Sequence, residues 1–251
     1  RDILQQVAAE EAMDLSQSGE LIQCLTFVKE DIYPRLENTV DEIHSLMDGL
    51  NGKFVRKGPS GAPSRGNAHI LPTGRNFYTT DPTEIPTRSS WETGKKLANQ
   101  LLETHKAEMD EIPENIAIVV YSGETIKTNG DDIAEILYLY GIRPVWLGET
   151  DKVIGLEVIP LEELGRPRID VTLRISGLFR DTFPNLIELV DEAVNMVASL
   201  DEDHEHNFIK KHVENDVMQF VKAGMSREQA YDQASLRIFG CPPGTYGAGV
   251  D

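Results

Sequence analysis

Cysteine is scarce. The 251 residues include two, Cys24 and Cys241. Two thiols so far apart make neither a disulfide framework nor a zinc-ligand spacing, and a reducing, cytoplasmic setting is the simplest expectation. Long apolar runs are missing too. None approaches the ~18 residues that cross a bilayer, and no signal peptide is apparent. Positive charge is in short supply: 24 Lys and Arg against 42 Asp and Glu leave a formal charge of -18. That balance argues against a nucleic-acid partner, which needs a basic face, and against an anionic membrane surface. Neither Gly-x-Gly-x-x-Gly nor a Walker string occurs, so a dinucleotide or P-loop nucleotide has little support.

What is present is ordinary for a globular chain of one large domain or two smaller ones, 40% hydrophobic and 26% charged. Residues 1–55 read as a helical segment. Ile3, Val7, Ala8 and Ala12 recur at helical spacing, and Ser16 or Ser18 is a plausible cap for the next helix. Leu21, Leu25, Val28, Ile32, Leu36, Val40, Ile43 and Met47 form an apolar stripe suited to helix packing. Pro34 should bend that helix or interrupt it. Residues 56–74, rich in Gly and Pro and locally basic through Arg56, Lys57 and Arg65, read as a loop or linker, or as a lid over a pocket.

Residues 75–251 alternate strand and helix patterns. Asn76–Tyr78 reads as a short extended segment, and a helix capped by Thr87 or Ser89 runs to Met109. Ile116–Tyr121 is a continuous apolar run, the pattern of a buried parallel strand. Ser122–Gly130 reads as a polar loop. A helix over Asp131–Tyr140 with Gly141 as its cap then leads to a strand over Ile142–Leu147. This spacing predicts a parallel sheet with crossover helices. Further helices are expected over about 184–200, 207–223 and 226–238, the last opened by a Ser226/Gln229 capping box. The tail from Ile238 reads as a turn-rich loop. His204, His206 and His212 lie among carboxylates, but their separations do not place them on one helix face, and a solvated turn is favoured over a metal site.

The stretch Ile154–Asp181 organises the chain. Arg166, Arg168 and Asp170 surround the start of an apolar run, Ile169–Ile175, and Arg174, Arg180 and Asp181 follow along it and past its end. Guanidinium groups pair bidentately with carboxylates. Such a density either builds an anionic-ligand site or forms internal ion pairs that hold loops.

Several strings are long and specific. They are Leu71-Pro-Thr-Gly-Arg-Asn76, Thr125-Ile-Lys-Thr-Asn-Gly-Asp-Asp132 and Ile159-Pro-Leu-Glu-Glu-Leu-Gly-Arg-Pro-Arg-Ile-Asp-Val171. Further along the chain come Ile175-Ser-Gly-Leu-Phe-Arg-Asp181, Asn207-Phe-Ile-Lys-Lys-His212 and Arg237-Ile-Phe-Gly-Cys-Pro-Pro-Gly-Thr-Tyr-Gly247. Together they closely resemble the family of the aerobic cobaltochelatase large subunit and the magnesium chelatase H subunit, with Gly-Arg-Asn-Phe-Tyr and Pro-Pro-Gly-Thr-Tyr-Gly in the manner of the cobalt branch. The resemblance implies an α/β, Rossmann-like parallel sheet with flanking helices, preceded by a helical segment and forming an internal fragment of a longer subunit. It implies insertion of Co2+, as substrate, into a corrinoid tetrapyrrole. ATP would be hydrolysed by AAA+ partner subunits, with no cofactor bound by this piece. By matching position it implies substrate contact or loop organisation for Arg75, Asn76, Arg166, Arg168, Arg174, Arg180 and Asn207. Proton or metal handling would fall to Asp170, Asp181 and His212. No metal ligand is assigned. A His-Gly-rich string with a nearby Glu, associated with the family's active site, is absent here, so catalysis by this piece alone is not expected.

Overall fold

The structure is a computed structural model that describes residues 19–59, 63, 68–78, 81–148 and 150–246. The helix expected around Ile3–Ala12, the Ser16 or Ser18 cap, Arg65 and the final Gly247–Asp251 run lie outside the described residues. The chain divides into two compact units, Arg1–Tyr78 and Thr79–Asp251.

In the first unit, helix α1 (Gly19–Phe27) passes into a π-helical turn, Val28–Ile32, before α2 (Tyr33–Glu37). Pro34 sits in the first turn of α2 and has no N–H to give to the preceding turn, which opens so that the Tyr33 N–H bonds the Val28 carbonyl. The expected interruption is therefore a widened turn. Helix α3 spans Asp41–Leu50. Among the described residues the apolar stripe stays open: Leu36, Val40, Ile43 and Met47 are all about half exposed or more. Strands β1 (Lys57–Pro59) and β2 (Asn76–Tyr78) pair in parallel, Lys57 opposite Asn76, so part of the expected loop is strand.

The second unit opens with α4 (Arg88–Met109), whose N-cap Thr87 accepts the Ser90 N–H. Then come β3 (Asn115–Val120), α5 (Ser122–Thr128), α6 (Asp131–Tyr140), β4 (Ile142–Trp146) and β5 (Val153–Val158). The short α7 (Leu161–Leu164) precedes β6 (Asp170–Ile175), followed by α8 (Gly177–Thr182), α9 (Pro184–Ala198), α10 (Phe208–Lys222), α11 (Arg227–Ala234) and β7 (Ile238–Gly240). The parallel sheet runs β3-β6-β7, with Asn115 opposite Asp170 and Leu173 opposite Ile238. The mixed α/β class with a parallel sheet, flanking helices and a helical start is as expected, and the Ser226/Gln229 capping box forms.

Four readings need correction. Strand β4 does not join the parallel sheet; it pairs antiparallel with β5 in a separate hairpin. The six residues between them are too few for a parallel crossover, which takes a dozen or more. Ser122–Thr128 is helix rather than loop. β3 is an edge strand with Ala117 and Val119 exposed, so its apolar run is not buried on both faces. The first residues of the tail form β7.

The core lies around α6 and β6. Ile133, Ala134, Ile136, Leu137, Leu139 and Tyr140 are fully buried, with Val171 and Leu173 beneath them. Helix α4 crosses α6 at Gly94, where any Cβ would strike the Ala134–Glu135 backbone. The Tyr140 hydroxyl donates to the Val171 carbonyl at 2.6 Å and ties α6 to β6.

Candidate functional site

Strand β6 separates the charged residues that look contiguous in the sequence. Arg166, Arg168 and Asp170 lie at its amino end; Arg180 and Asp181 lie beyond its carboxyl end. Five steps of strand put these ends about 17 Å apart. They are two clusters, and they do different things.

At the amino end, Arg168 is completely buried. Its Nε and Nη2 donate to the two Glu202 carboxylate oxygens at 2.8 and 2.9 Å. Its remaining N–H groups reach the carbonyls of Gly141 at 2.8 Å, Ile159 at 2.9 Å and, more weakly, Tyr140 at 3.4 Å. All five donors are thereby engaged. Asn207 is buried beside it: its Oδ1 caps α10 at the Lys210 N–H, and its Nδ2 donates to the Val197 carbonyl and to Glu202. Arg166 closes the end of α6, donating to the carbonyls of Tyr138 at 2.6 Å and Leu139 at 3.1 Å, with its guanidinium 5.0 Å from the Tyr138 ring centroid. Burial lowers its pKa to about 10. These three residues hold loops, the second of the two readings the sequence left open.

Asp170, also buried, receives Arg237 Nε and Nη2 at 2.6 and 3.0 Å and pairs with His212 Nδ1 at 2.8 Å. The other imidazole nitrogen, Nε2, is 3.4 Å from Glu114, which two short bonds from Lys211 also hold. The hydrogen bond to Asp170, joined by Glu114, raises the His212 pKa above its ordinary value despite partial burial. A histidine whose folded pKa is raised adds stability that is complete below about pH 6.5 and disappears as pH climbs through the folded value. Comparing urea midpoints of the wild type and His212→Asn between pH 5.5 and 8.5 should show a gap that narrows with rising pH. A gap independent of pH would refute the assignment.

At the carboxyl end, the segment Cys241–Tyr246 folds over β6. Arg180 Nη1 donates to the Cys241 and Pro242 carbonyls at 2.7 and 2.8 Å, and its Nε holds Asp181 at 2.7 Å. Arg180, helped by the Tyr246 hydroxyl, keeps the Asp181 carboxyl below the usual range. Arg174 Nη2 reaches Cys241 Sγ at 3.6 Å. A Cβ on Gly177 would overlap the Thr245 carbonyl, so only glycine allows this close seat. Ser122, at the head of α5, has a buried hydroxyl without a hydrogen-bond partner among the described residues.

Arg75 and Asn76 belong to the first unit. They line an open cleft of about 520 Å³ with Leu46, Lys53, Phe54 and Gly74 among its walls. His204 pairs with Glu214, and His206 with Asp203, each at 2.7 Å. Among the described residues no group of three or more His, Cys, Asp or Glu is arranged to hold a metal ion. No described helix is long and apolar enough to cross a membrane. Glu114, Glu202 and Arg237 do not stand out in the sequence. Arg237 lies inside a specific string, and Glu114 immediately precedes β3, where parallel register brings it beside Asp170; Glu202, in an acidic turn, gives no signal.

The profile described as CobN/Magnesium Chelatase matches residues 1–251, and the chain belongs to that family. It is 45% identical over 234 residues to the aerobic cobaltochelatase subunit CobN of Pseudomonas aeruginosa, covering 93% of this chain and 18% of that protein. It is 40% identical over 212 residues to the chloroplastic magnesium-chelatase subunit ChlH of Oryza sativa subsp. japonica, covering 84% of this chain and 15% of that protein. The solved catalytic subunit of cobaltochelatase from Mycobacterium tuberculosis superposes with a TM-score of 0.81 at 41% identity, over 97% of this chain and 21% of that one. The chain thus spans about a fifth of the length of these relatives.

Proposed function

We propose that this chain is part of the tetrapyrrole-binding large subunit of an ATP-dependent cobaltochelatase, which inserts Co2+ into a corrin ring during cobalamin biosynthesis. ATP is hydrolysed by AAA+ partner subunits, in the cytoplasm. The observation that carries this reading is the likeness to a cobaltochelatase catalytic subunit along 97% of the chain. The strings Gly74-Arg-Asn-Phe-Tyr78 and Pro242-Pro-Gly-Thr-Tyr-Gly247 favour cobalt over magnesium.

Metal insertion requires that pyrrole nitrogens give up protons while the ion sheds water. His212 is the residue on this chain best suited to proton handling. Its Nε2 lies near the surface, and Asp170 acts through it by fixing Nδ1. At the carboxyl end, Arg174 and Arg180 supply positive charge for the acidic side groups of the ring, with Asp181 setting the orientation of Arg180. Arg166, Arg168 and Asn207 serve by holding the loops that present these groups.

The complete subunit, assembled with its ATPase partners, tests the reading. With ATP it should convert a corrinoid to its cobalt form, followed by absorbance, and should leave protoporphyrin IX unmetallated when offered Mg2+. Mg2+ insertion into the porphyrin would reassign the chain to the magnesium branch. A second reading, a scaffold without chemistry, is favoured by the saturation of Arg168. It predicts that His212→Asn changes stability and leaves the insertion rate per folded complex unaltered.

A further inference from the structure

Each strand of the parallel sheet places one charged side chain at its amino end. Glu114 immediately precedes β3, Asp170 opens β6, and Arg237 immediately precedes β7. Helix α10 lays Lys211 and His212 across them. The result is a row of alternating sign, Arg237–Asp170–His212–Glu114–Lys211. It runs from buried Arg237 and Asp170 out to Glu114, whose side chain is 46% exposed.

The imidazole therefore lies between two carboxylates, Asp170 from β6 and Glu114 from ahead of β3. An ionised carboxylate only accepts hydrogen bonds, and a neutral imidazole has one N–H to give. The short contact, 2.8 Å between Nδ1 and Asp170, takes that N–H. Nε2 of the neutral ring then turns a lone pair toward Glu114, 3.4 Å away. Two acceptors facing each other repel. A Glu114 carboxylate free to close on Nε2 would be satisfied only by an imidazolium, and an imidazolium cannot take a further proton.

Glu114 is not free to close. Lys211 Nζ reaches both its oxygens, at 2.7 and 2.6 Å, and this grip holds the carboxyl below its usual range. Lys211 is itself seated over the Phe208 ring, one turn back on α10 and 5.5 Å from the ring centroid. Glu114 adds to the upward pull that Asp170 exerts on the His212 pKa. Lys211 limits that addition, because the oxygen that would approach Nε2 is already engaged.

We propose that Lys211 is a positioning residue for His212: by gripping Glu114 it holds that carboxylate back from Nε2 and leaves the nitrogen able to take and release a proton. The inference rests on the reading of His212 as a proton carrier, and it adds Lys211 and Glu114 as the residues that tune it.

The test is hydrogen–deuterium exchange at the imidazole C2 position in the full-length subunit, read by mass spectrometry across pH. Tryptic cleavage releases His212–Lys222, in which His212 is the only histidine. Lys211→Met should raise the titration midpoint of His212 by about half a pH unit or more, and Glu114→Gln should lower it by a similar amount. With Glu114→Gln already in place, Lys211→Met should move the midpoint less than half as far, because the lysine acts through the carboxylate. The acid limb of cobalt insertion by the assembled complex should follow the midpoint in each variant. Midpoints unmoved by either single change, or a Lys211→Met effect of the same size with and without Glu114, overturn the positioning role and leave the proposed function standing. Midpoints that move while the acid limb stays fixed overturn the proton role of His212 itself.

Discussion

Replacing Arg168 by Met is expected to lower the unfolding free energy of the chain by about 3–5 kcal/mol. The size comes from what the guanidinium leaves behind. Glu202, whose side chain is 15% exposed, would lose its bidentate guanidinium and retain the Asn207 amide. The buried Ile159 carbonyl would lose its Arg168 donor, and the Gly141 carbonyl would keep only the Ile159 N–H. These groups belong to the end of α6, the end of β5 and the turn before α10, so one side chain joins three segments that are distant in sequence. Urea denaturation followed by circular dichroism measures the loss. Methionine keeps most of the volume, so a shift below about 1 kcal/mol would show that the network is not what holds this end of the sheet.

A loss of similar size, about 3–5 kcal/mol, is expected for Asp170→Leu. Arg237 would then be a buried cation with two backbone carbonyls, those of Ala234 and Leu236, and no counter-charge. His212 would lose the bond that fixes its Nδ1. The informative comparison is the double replacement Asp170→Leu with Arg237→Met, which removes both charges together. It should be distinctly less damaging than the sum of the two single changes, because each single change strands a charge that the pair does not. Additive losses would mean that Asp170 and Arg237 do not act as a pair, against their 2.6 and 3.0 Å contacts.

Much of the second unit is legible in the sequence because local signals agree. Thr87, Gly141 and the Ser226/Gln229 pair mark ends that a helical pattern already suggests, and each forms as read. α5 is hidden because Ser, Thr, Asn and Gly suggest a loop. In the structure its threonines turn inward: Thr125 donates to Asp132, while Thr128 donates to the Glu124 carbonyl and accepts the Asp131 N–H. The apolar run of β4 points to the wrong sheet, although the short link to β5 is in plain view. Its neighbour is a matter of tertiary packing, which an apolar run does not encode.

The site is harder to read. A density of arginine along the sequence marks the right residues but a single neighbourhood, and the rise of a strand divides them. Asp170 is visible, but its partners Arg237 and His212 lie far along the chain and meet it only after α10 and α11 have folded back. Glu202 sits in an acidic turn that resembles any solvated one. Burial, which distinguishes a structural arginine from a binding one, has no sequence signal when the residue type is the same. Arg168 and Arg174, six positions apart, illustrate this: the first is sealed inside and the second lies along the strand toward Cys241.

The Arg168–Glu202 and Arg237–Asp170 pairs sit where mobile ions cannot enter, so raising ionic strength does little to weaken them. Surface pairs such as Lys53–Asp48 and Lys127–Glu124 fade under the same treatment. The parallel sheet therefore keeps its framework in concentrated salt, and at -18 the chain's own mutual repulsion is relieved there as well.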